Sequence, residues 1–446
     1  MIQNHFCQTP CGPIQGTAAQ PGVSAFRGSR YASAGRWQYP VVTTGWDGVY
    51  DASHFGPNAM QMAALGPRTK DGKPSFYDYE FREGLPYTYA EDCQYLNIYA
   101  PDDARGAPVI VYIHGGAFMG GSGWDKVFDA PVWPTQGVIA VTLNYRLGIF
   151  GAVTLPELAA EAGHAGNYQL YDQLAALRWV HANIAAFGGD PDNITIMGQS
   201  AGARSVQMLA GSPACRGLVQ RAVLSSGSGA RSHLFQNMPD TAARYKVWSA
   251  WRETLGNPSL AELRALAPEK ILGSLGVLFE KLGFQDVINY ISPGFDEAAF
   301  PAPGTPGALE GGWLDIPCMC GANSEDIVPG LAQDALVWAM ERSRPSWAWY
   351  FKHPLPGDDK GAWHSADLWY WFGTLDHGWR PWQEADRRLS DTMVRFLCNF
   401  ARTGDPNGPG LPVWEAAGNA GQVLCLDREV KMGNVPAPEE QKGVML

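Results

Sequence analysis

The chain has 446 residues, 46% of them hydrophobic and 17% charged. That composition supports a large buried core and excludes a disordered chain. A net charge of −11 without any long basic run argues against nucleic acid or an anionic membrane as a partner.

No stretch reaches the roughly 18 apolar residues of a membrane span. The opening segment MIQNHFCQTPCGPIQG carries no basic leader, apolar core or small-residue cleavage site, so a cytoplasmic location is expected. The eight cysteines are Cys7, Cys11, Cys93, Cys215, Cys318, Cys320, Cys398 and Cys425. Several sit in apolar runs, as Cys398 does in MVRFLCNF, and read as small buried hydrophobes. Cys318 and Cys320 lie on one strand face and are poorly placed to bridge each other. Reduced thiols are expected, and no His and Cys spacing suggests a metal site. The 17 tryptophans fit either core filling or an aromatic-lined cleft.

In chain order, PVIVYIHGG (108–116) is a continuous apolar strand running into glycines, and GVIAVTLNYR (137–146) is another. LYDQLAALRWVHANIAAFGG (170–189) has apolar residues at helical spacing and ends in a glycine pair. A short β-branched run follows at Asn193–Met197, then a corner at Ser200 and a helix to about Ala210. RAVLSSGS (221–228) is a further strand. Residues 240–285 change character and read as three consecutive helices with no strand between, an insertion expected to cap the sheet's C-terminal edge. Strands resume at IPCMCGAN (316–323) and SWAWYFKH (346–353). An amphipathic helix over about 384–402 and the strand GQVLCLD close the chain. Continuous apolar strands alternating with helices predict an α/β fold: a mainly parallel central sheet, helices on both faces and a helical cap insertion. One catalytic domain over 1–446 is expected.

The corner Gly198-Gln199-Ser200-Ala201-Gly202 places a serine between small residues at a strand-to-helix turn, where its hydroxyl projects beside a helix N-terminus. A serine hydroxyl needs a base to become nucleophilic, and in such sheets the crevice lies beyond the strand C-termini. Of the nine histidines, His5, His233 and His377 fall in irregular contexts, His54 and His164 in loops, His181 within a helix and His353 at a strand end. His364, one loop after the 346–353 strand, has the right place and order. CGANSEDIVPG supplies Glu325 and Asp326 directly after a strand. YIHGGAF supplies His114 and two glycines where the backbone must turn; the N–H groups of Gly115, Gly116 and Ala201 could meet a developing oxyanion. A phosphate loop is the competing reading of HGGAFMGGSG, and it fails because no G-K-[ST] follows.

Taken together, EDCQYLNIYAP (91–101), HGGAF (114–118), NYRLGIFG (144–151), GNYQLYDQLAALRWVHANIAAFGGDPDNITIMGQSAGARSV (166–206) and WHSADLWYWFG (363–373) resemble, in order, the type-B carboxylesterase and cholinesterase-like family of the α/β-hydrolase fold. The resemblance implies Ser200 as nucleophile, His364 as general base and Asp326 as the acid, with Ser226 supporting the acid. Glu325 is its alternative, because the family's usual Asp-Glu order is reversed here. Gln199 stands where the family often has glutamate. Cys93 matches a cysteine that is bridged in secreted members, but its partner region FGPNAMQ (55–61) has none. Only 38 positions separate Asp326 from His364, where the family usually inserts a long helical region. The implied activity is hydrolysis of carboxylic esters through an acyl-enzyme, with small to medium apolar or aryl esters as substrates and no metal or organic cofactor. Phe118, Trp124, Trp363, Trp369 and Trp371 are candidates for a substrate pocket. Two rivals stand beside it: a hydrolase or lyase acting on an amide, thioester or lactone, and a non-catalytic binding protein on the same fold. Oligomeric state is not readable.

Overall fold

The computed structural model describes residues 2–66, 69–70, 72–229, 238–418, 421–441 and 443. Its centre is an eleven-stranded sheet. The strands in chain order are β1 (Thr17–Gln20), β2 (Val23–Arg30), β3 (Tyr95–Pro101), β4 (Ala107–Ile113), β5 (Ile139–Leu143), β6 (Gly189–Gln199), β7 (Arg221–Ser225), β8 (Cys318–Asn323), β9 (Trp347–Phe351), β10 (Val423–Leu426) and β11 (Lys431–Gly433). Across the sheet they run β11-β10-β9-β8-β7-β6-β4-β5-β3-β2-β1. The seven strands from β10 to β5 pair in parallel. Both ends pair antiparallel.

A parallel sheet covered on both faces needs apolar side chains on both, and β4 shows it. Every residue of β4 is buried. Val109, Val111 and Ile113 join one core cluster, while Ile110 and Tyr112 join the other. Helix α1 (Phe76–Phe81) is a single short turn-and-a-half. Helices α2 (Tyr168–Asn183) and α3 (Ala201–Ala210) bring Leu170, Leu174, Leu177, Val206 and Leu209 to the first cluster. Helix α4 (Glu384–Thr403) brings Leu389, Met393, Phe396, Leu397 and Phe400 to the second.

The expected strands and helices are found with shifts of a few residues. The expected triple-helix insertion differs. It contains five helices, Thr241–Thr254, Leu260–Ala265, Pro268–Gly273, Leu275–Leu282 and Phe284–Ile291, and so runs past 285. The third expected helix, EKILGSLGVLFEKLG (269–283), breaks at Ser274, and Gly283 with φ +79° ends its second piece. The Ser259–Glu262 capping box and the Asp240 side chain, which accepts from Ala243 N–H, set two of the starts. This excursion packs on the α2 side. Gln169 Nε2 of α2 donates to Ile291 O at 3.0 Å, and Trp251 meets Trp37 edge-on at 6.1 Å. No helix among the described residues is long and apolar enough to cross a membrane.

Candidate active site

The chain leaves β4 for β5 on one side and later returns to form β6 on the other. The loops after β4 and β6 therefore open side by side at a topological switch point, where α/β sheets place their ligands. Their approach is tight enough to dictate glycine. A Cβ on Gly202 would lie 2.0 Å from Ile113 O, and one on Gly198 would lie 2.3 Å from Gly202 O. Ser200 between them has φ +56° and ψ −124°, a strained conformation for a side-chain-bearing residue. Its N–H is anchored to Ser225 O of β7 at 2.9 Å.

The other sequence candidates gather around this corner. Asp326 follows β8, and its Oδ1 is in direct contact with His364 Nδ1. The Asp326 carboxylate also accepts from Ser226 Oγ at 2.6 Å, Asn323 N–H at 3.1 Å and Ile327 N–H at 2.9 Å. Burial pushes this carboxyl up, but the His364 charge and hydrogen bond, with Ser226 and Asn323, hold it below the ordinary carboxylate value. Glu325 turns the other way. Its Oε2 accepts Ala362 N–H at 2.7 Å, so Asp326 and not Glu325 touches the imidazole.

At the far side of the ring, His364 Nε2 faces Gln199 Nε2 at 3.1 Å. Among the described residues Ser200 Oγ makes no hydrogen bond. Neither do the N–H groups of Gly115, Gly116 and Ala201 donate one among the described residues. Two of the three lie in a loop, and Ala201 opens α3, whose first N–H groups have no intrahelical acceptor. His114, buried beneath this loop, stacks on Tyr145 with ring centroids 4.4 Å apart. Its Nδ1 meets Gly115 O at 2.8 Å. Burial lowers its pKa to about 4, so the ring is neutral at pH 7.

The aromatic pocket candidates fall differently. Trp363, Trp369 and Trp371 are fully buried and form core, not the wall of an open cleft. The physical reason is their partners. Trp369 Nε1 donates to buried Glu80 at 2.8 Å and Trp371 Nε1 to Asp367 at 3.2 Å, while Phe76, Tyr77 and Phe81 of α1 ring Trp363. Phe118 and Trp124 are buried too; Trp124 stacks on Phe55 at 4.6 Å. Of the histidines set aside, His233 lies outside the described residues.

Two features escaped the sequence reading. Helix α1 lies against the His364 segment, with Tyr77 OH donating to His364 O at 3.2 Å. Asp367, three residues after His364, is buried and accepts from Ser225 Oγ at 2.7 Å and Asn323 Nδ2 at 3.3 Å. Burial raises its pKa. The acidic position in the HSAD stretch was a usable signal for Asp367. Nothing in the short aromatic run FYDYEF singled out α1.

A mostly parallel sheet with a strained serine between β6 and α3, a histidine after β9 and an acid after β8 defines an α/β-hydrolase. The comparisons give the family. The chain matches the Carboxylesterase family model over residues 3–335 and 325–442, and it belongs to that family. It is 30% identical to the para-nitrobenzyl esterase of Bacillus subtilis (strain 168), over 99% of this chain and 98% of that protein. It is 30% identical to the phenmedipham hydrolase of Pseudarthrobacter oxydans, over 93% of each. A solved PNB esterase superposes with a TM-score of 0.82 at 27% identity, over 98% of this chain and 99% of the other. The protein is accordingly a carboxylic-ester hydrolase.

Proposed function

We propose that Ser200 attacks the ester carbonyl while His364 Nε2 takes its proton, and that Asp326 holds the imidazole tautomer and stabilises its positive charge. The tetrahedral oxyanion is met by the N–H groups of Gly115, Gly116 and Ala201. His364 then gives the proton to the departing alcohol oxygen. Water, deprotonated by the same imidazole, releases the acid from the acyl-enzyme. Ser226 supports Asp326 from behind, and Glu325 acts on the loop rather than on the reacting groups. The observation that carries this reading is the Asp326–His364 contact at a serine elbow flanked by three N–H groups that donate to nothing else described.

Small to medium apolar or aryl esters are the substrates we infer. The support is the pair of relatives named for para-nitrobenzyl esters and for phenmedipham. Phe118 and Trp124, on the loop that carries Gly115 and Gly116, border the substrate in this reading. One catalytic unit carries the site, with the 241–291 helices as an excursion from it. A reducing, cytoplasmic setting fits the eight buried free cysteines, Cys93 among them. The test is turnover of p-nitrophenyl esters of graded acyl length against the matching anilides. Ester turnover should be lost in Ser200→Ala with the fold intact. Anilide turnover outpacing ester turnover would overturn the substrate class.

A further inference from the structure

We propose that Gln199 is a positioning residue that caps the base, and thereby sets the pH range in which His364 can accept the Ser200 proton. This deepens the reading above and rests on it. His364 Nδ1 is committed to Asp326, so its N–H lies there and Nε2 carries a bare lone pair. The atom facing that lone pair is Gln199 Nε2, at 3.1 Å. Only the NH₂ end of a carboxamide can satisfy a lone pair, which fixes the sense of the bond: Gln199 donates.

The amide is held there by its surroundings. Gln199 is 2% exposed. Its Oε1 lies against Gly115, close enough that a Cβ on that glycine would sit 2.9 Å from it. Gly115 therefore makes room for the Gln199 carboxamide as well as offering an N–H to the oxyanion. Residues 199 and 200 are neighbours on one elbow; Gln199 Nε2 faces this nitrogen, and in the reading above the Ser200 hydroxyl gives its proton to the same atom. One lone pair takes one strong hydrogen bond, so the Gln199 N–H and the Ser200 O–H compete for it.

The competition has a direction. A donor on Nε2 favours the neutral imidazole and opposes the imidazolium, whose own N–H would point at the amide N–H. The other groups facing this histidine are Asp326 on Nδ1, buried Asp367 three residues along its own segment, and the Tyr77 hydroxyl of α1 on its carbonyl. The Glu325 carboxylate is turned to Ala362. Both aspartates favour the imidazolium, and the Gln199 amide is the group that opposes them. A carboxylate at position 199 would reverse its sense, because it accepts and cannot donate.

The experiment is the pH profile of kcat/KM for p-nitrophenyl butyrate with the wild type, Gln199→Glu and Gln199→Met. A fluorophosphonate labelling rate and a thermal melt accompany each protein. Methionine keeps the length and apolar stem but removes the donor. The acid limb should move to higher pH by about one unit in Gln199→Glu and by a few tenths in Gln199→Met. Above that limb, Gln199→Met should label at Ser200 a few-fold faster than wild type, because the rival donor is gone. Coincident acid limbs in folded, labelled variants overturn the proposal while leaving the nucleophile assignment standing. Wild-type protein that does not label at Ser200 overturns the underlying reading, and the proposal with it. If Gln199→Glu fails to fold, the Gln199→Met limb and labelling rate decide alone.

Discussion

Glu325 and Ala362 exchange a pair of hydrogen bonds. Ala362 N–H donates to Glu325 Oε2 at 2.7 Å, and Glu325 N–H donates to Ala362 O at 3.2 Å. They tie the loop carrying Asp326 to the loop carrying His364, and a strand-like bridge between Glu325 and Trp363 continues the contact. A chain with few residues between acid and base keeps the two in register this way. Glu325→Ala should orphan the Ala362 N–H at a cost of about 1–2 kcal/mol. The expected result is a kcat lower by on the order of tenfold with KM little changed, and partial rescue in Glu325→Gln, whose amide oxygen still accepts. Steady-state kinetics on one aryl ester checks both.

Replacing the acid itself should cost far more. Asp326→Asn presents an amide to His364 Nδ1 and favours the wrong tautomer, so kcat should fall on the order of 10⁴-fold. Glu325→Gln should stay within about tenfold of wild type. A reversed ranking would move the acid to position 325.

The oxyanion donors can be tested through backbone geometry. Gly116 has φ +111°, and a Cβ there would lie 2.0 Å from Gly120 O. Gly116→Ala must shift the loop, and kcat should drop by about 10²–10³ while Ser200 still labels. Unchanged kcat in a folded Gly116→Ala protein would remove Gly116 from the hole.

Much of this was readable from the sequence, for a physical reason. Strands β4, β5 and β9 are buried along their whole length, so they appear as near-continuous apolar runs, and the glycines of the elbow mark a close approach that no other residue permits. The edge strand β1 and its neighbour β2 went unread because TAAQPGVSAFRGSR mixes small, polar and glycine residues without such a run. Glu325 and Asp326 are neighbouring carboxylates whose side chains diverge, and no spacing rule says which one turns to the histidine. Trp363, Trp369 and Trp371 looked like cleft walls because composition does not distinguish an aromatic core from an aromatic pocket. The buried acceptors Glu80 and Asp367, far away or unremarked in sequence, decide it for Trp369 and Trp371.

Glu80 carries a second testable consequence. Its carboxylate takes Arg380 Nε at 2.8 Å, Arg380 Nη2 at 3.0 Å, Trp369 Nε1 at 2.8 Å and Trp379 Nε1 at 2.9 Å. Neither the Glu80 nor the Arg380 side chain is exposed. Glu80→Ala removes one of the two carboxylates paired with the buried Arg380 guanidinium, which keeps Asp358 at 2.9 Å, and takes the acceptor from the buried Trp369 indole N–H, a loss of about 1–3 kcal/mol. Urea unfolding should show it, and limited proteolysis should cut near α1 sooner than in wild type.

Stability should also depend on His114. Its pKa is lowered to about 4 from an ordinary value of 6.5, so between those pH values the unfolded chain binds the proton and the folded chain does not. Stability from this group is full above pH 6.5 and lost as pH falls toward 4, by about 3 kcal/mol in total. The urea midpoint of wild type should fall over this range more steeply than that of His114→Gln, which has no proton to gain. Parallel slopes would contradict the assignment.

Ser200 is made reactive by His364 in this account, and covalent chemistry tests that most directly. Intact mass and peptide mapping after brief exposure to a fluorophosphonate should place one adduct on Ser200 in the wild type. The labelling rate should fall by several orders of magnitude in His364→Ala. An adduct on another residue, or labelling of Ser200 at the wild-type rate without His364, would contradict it.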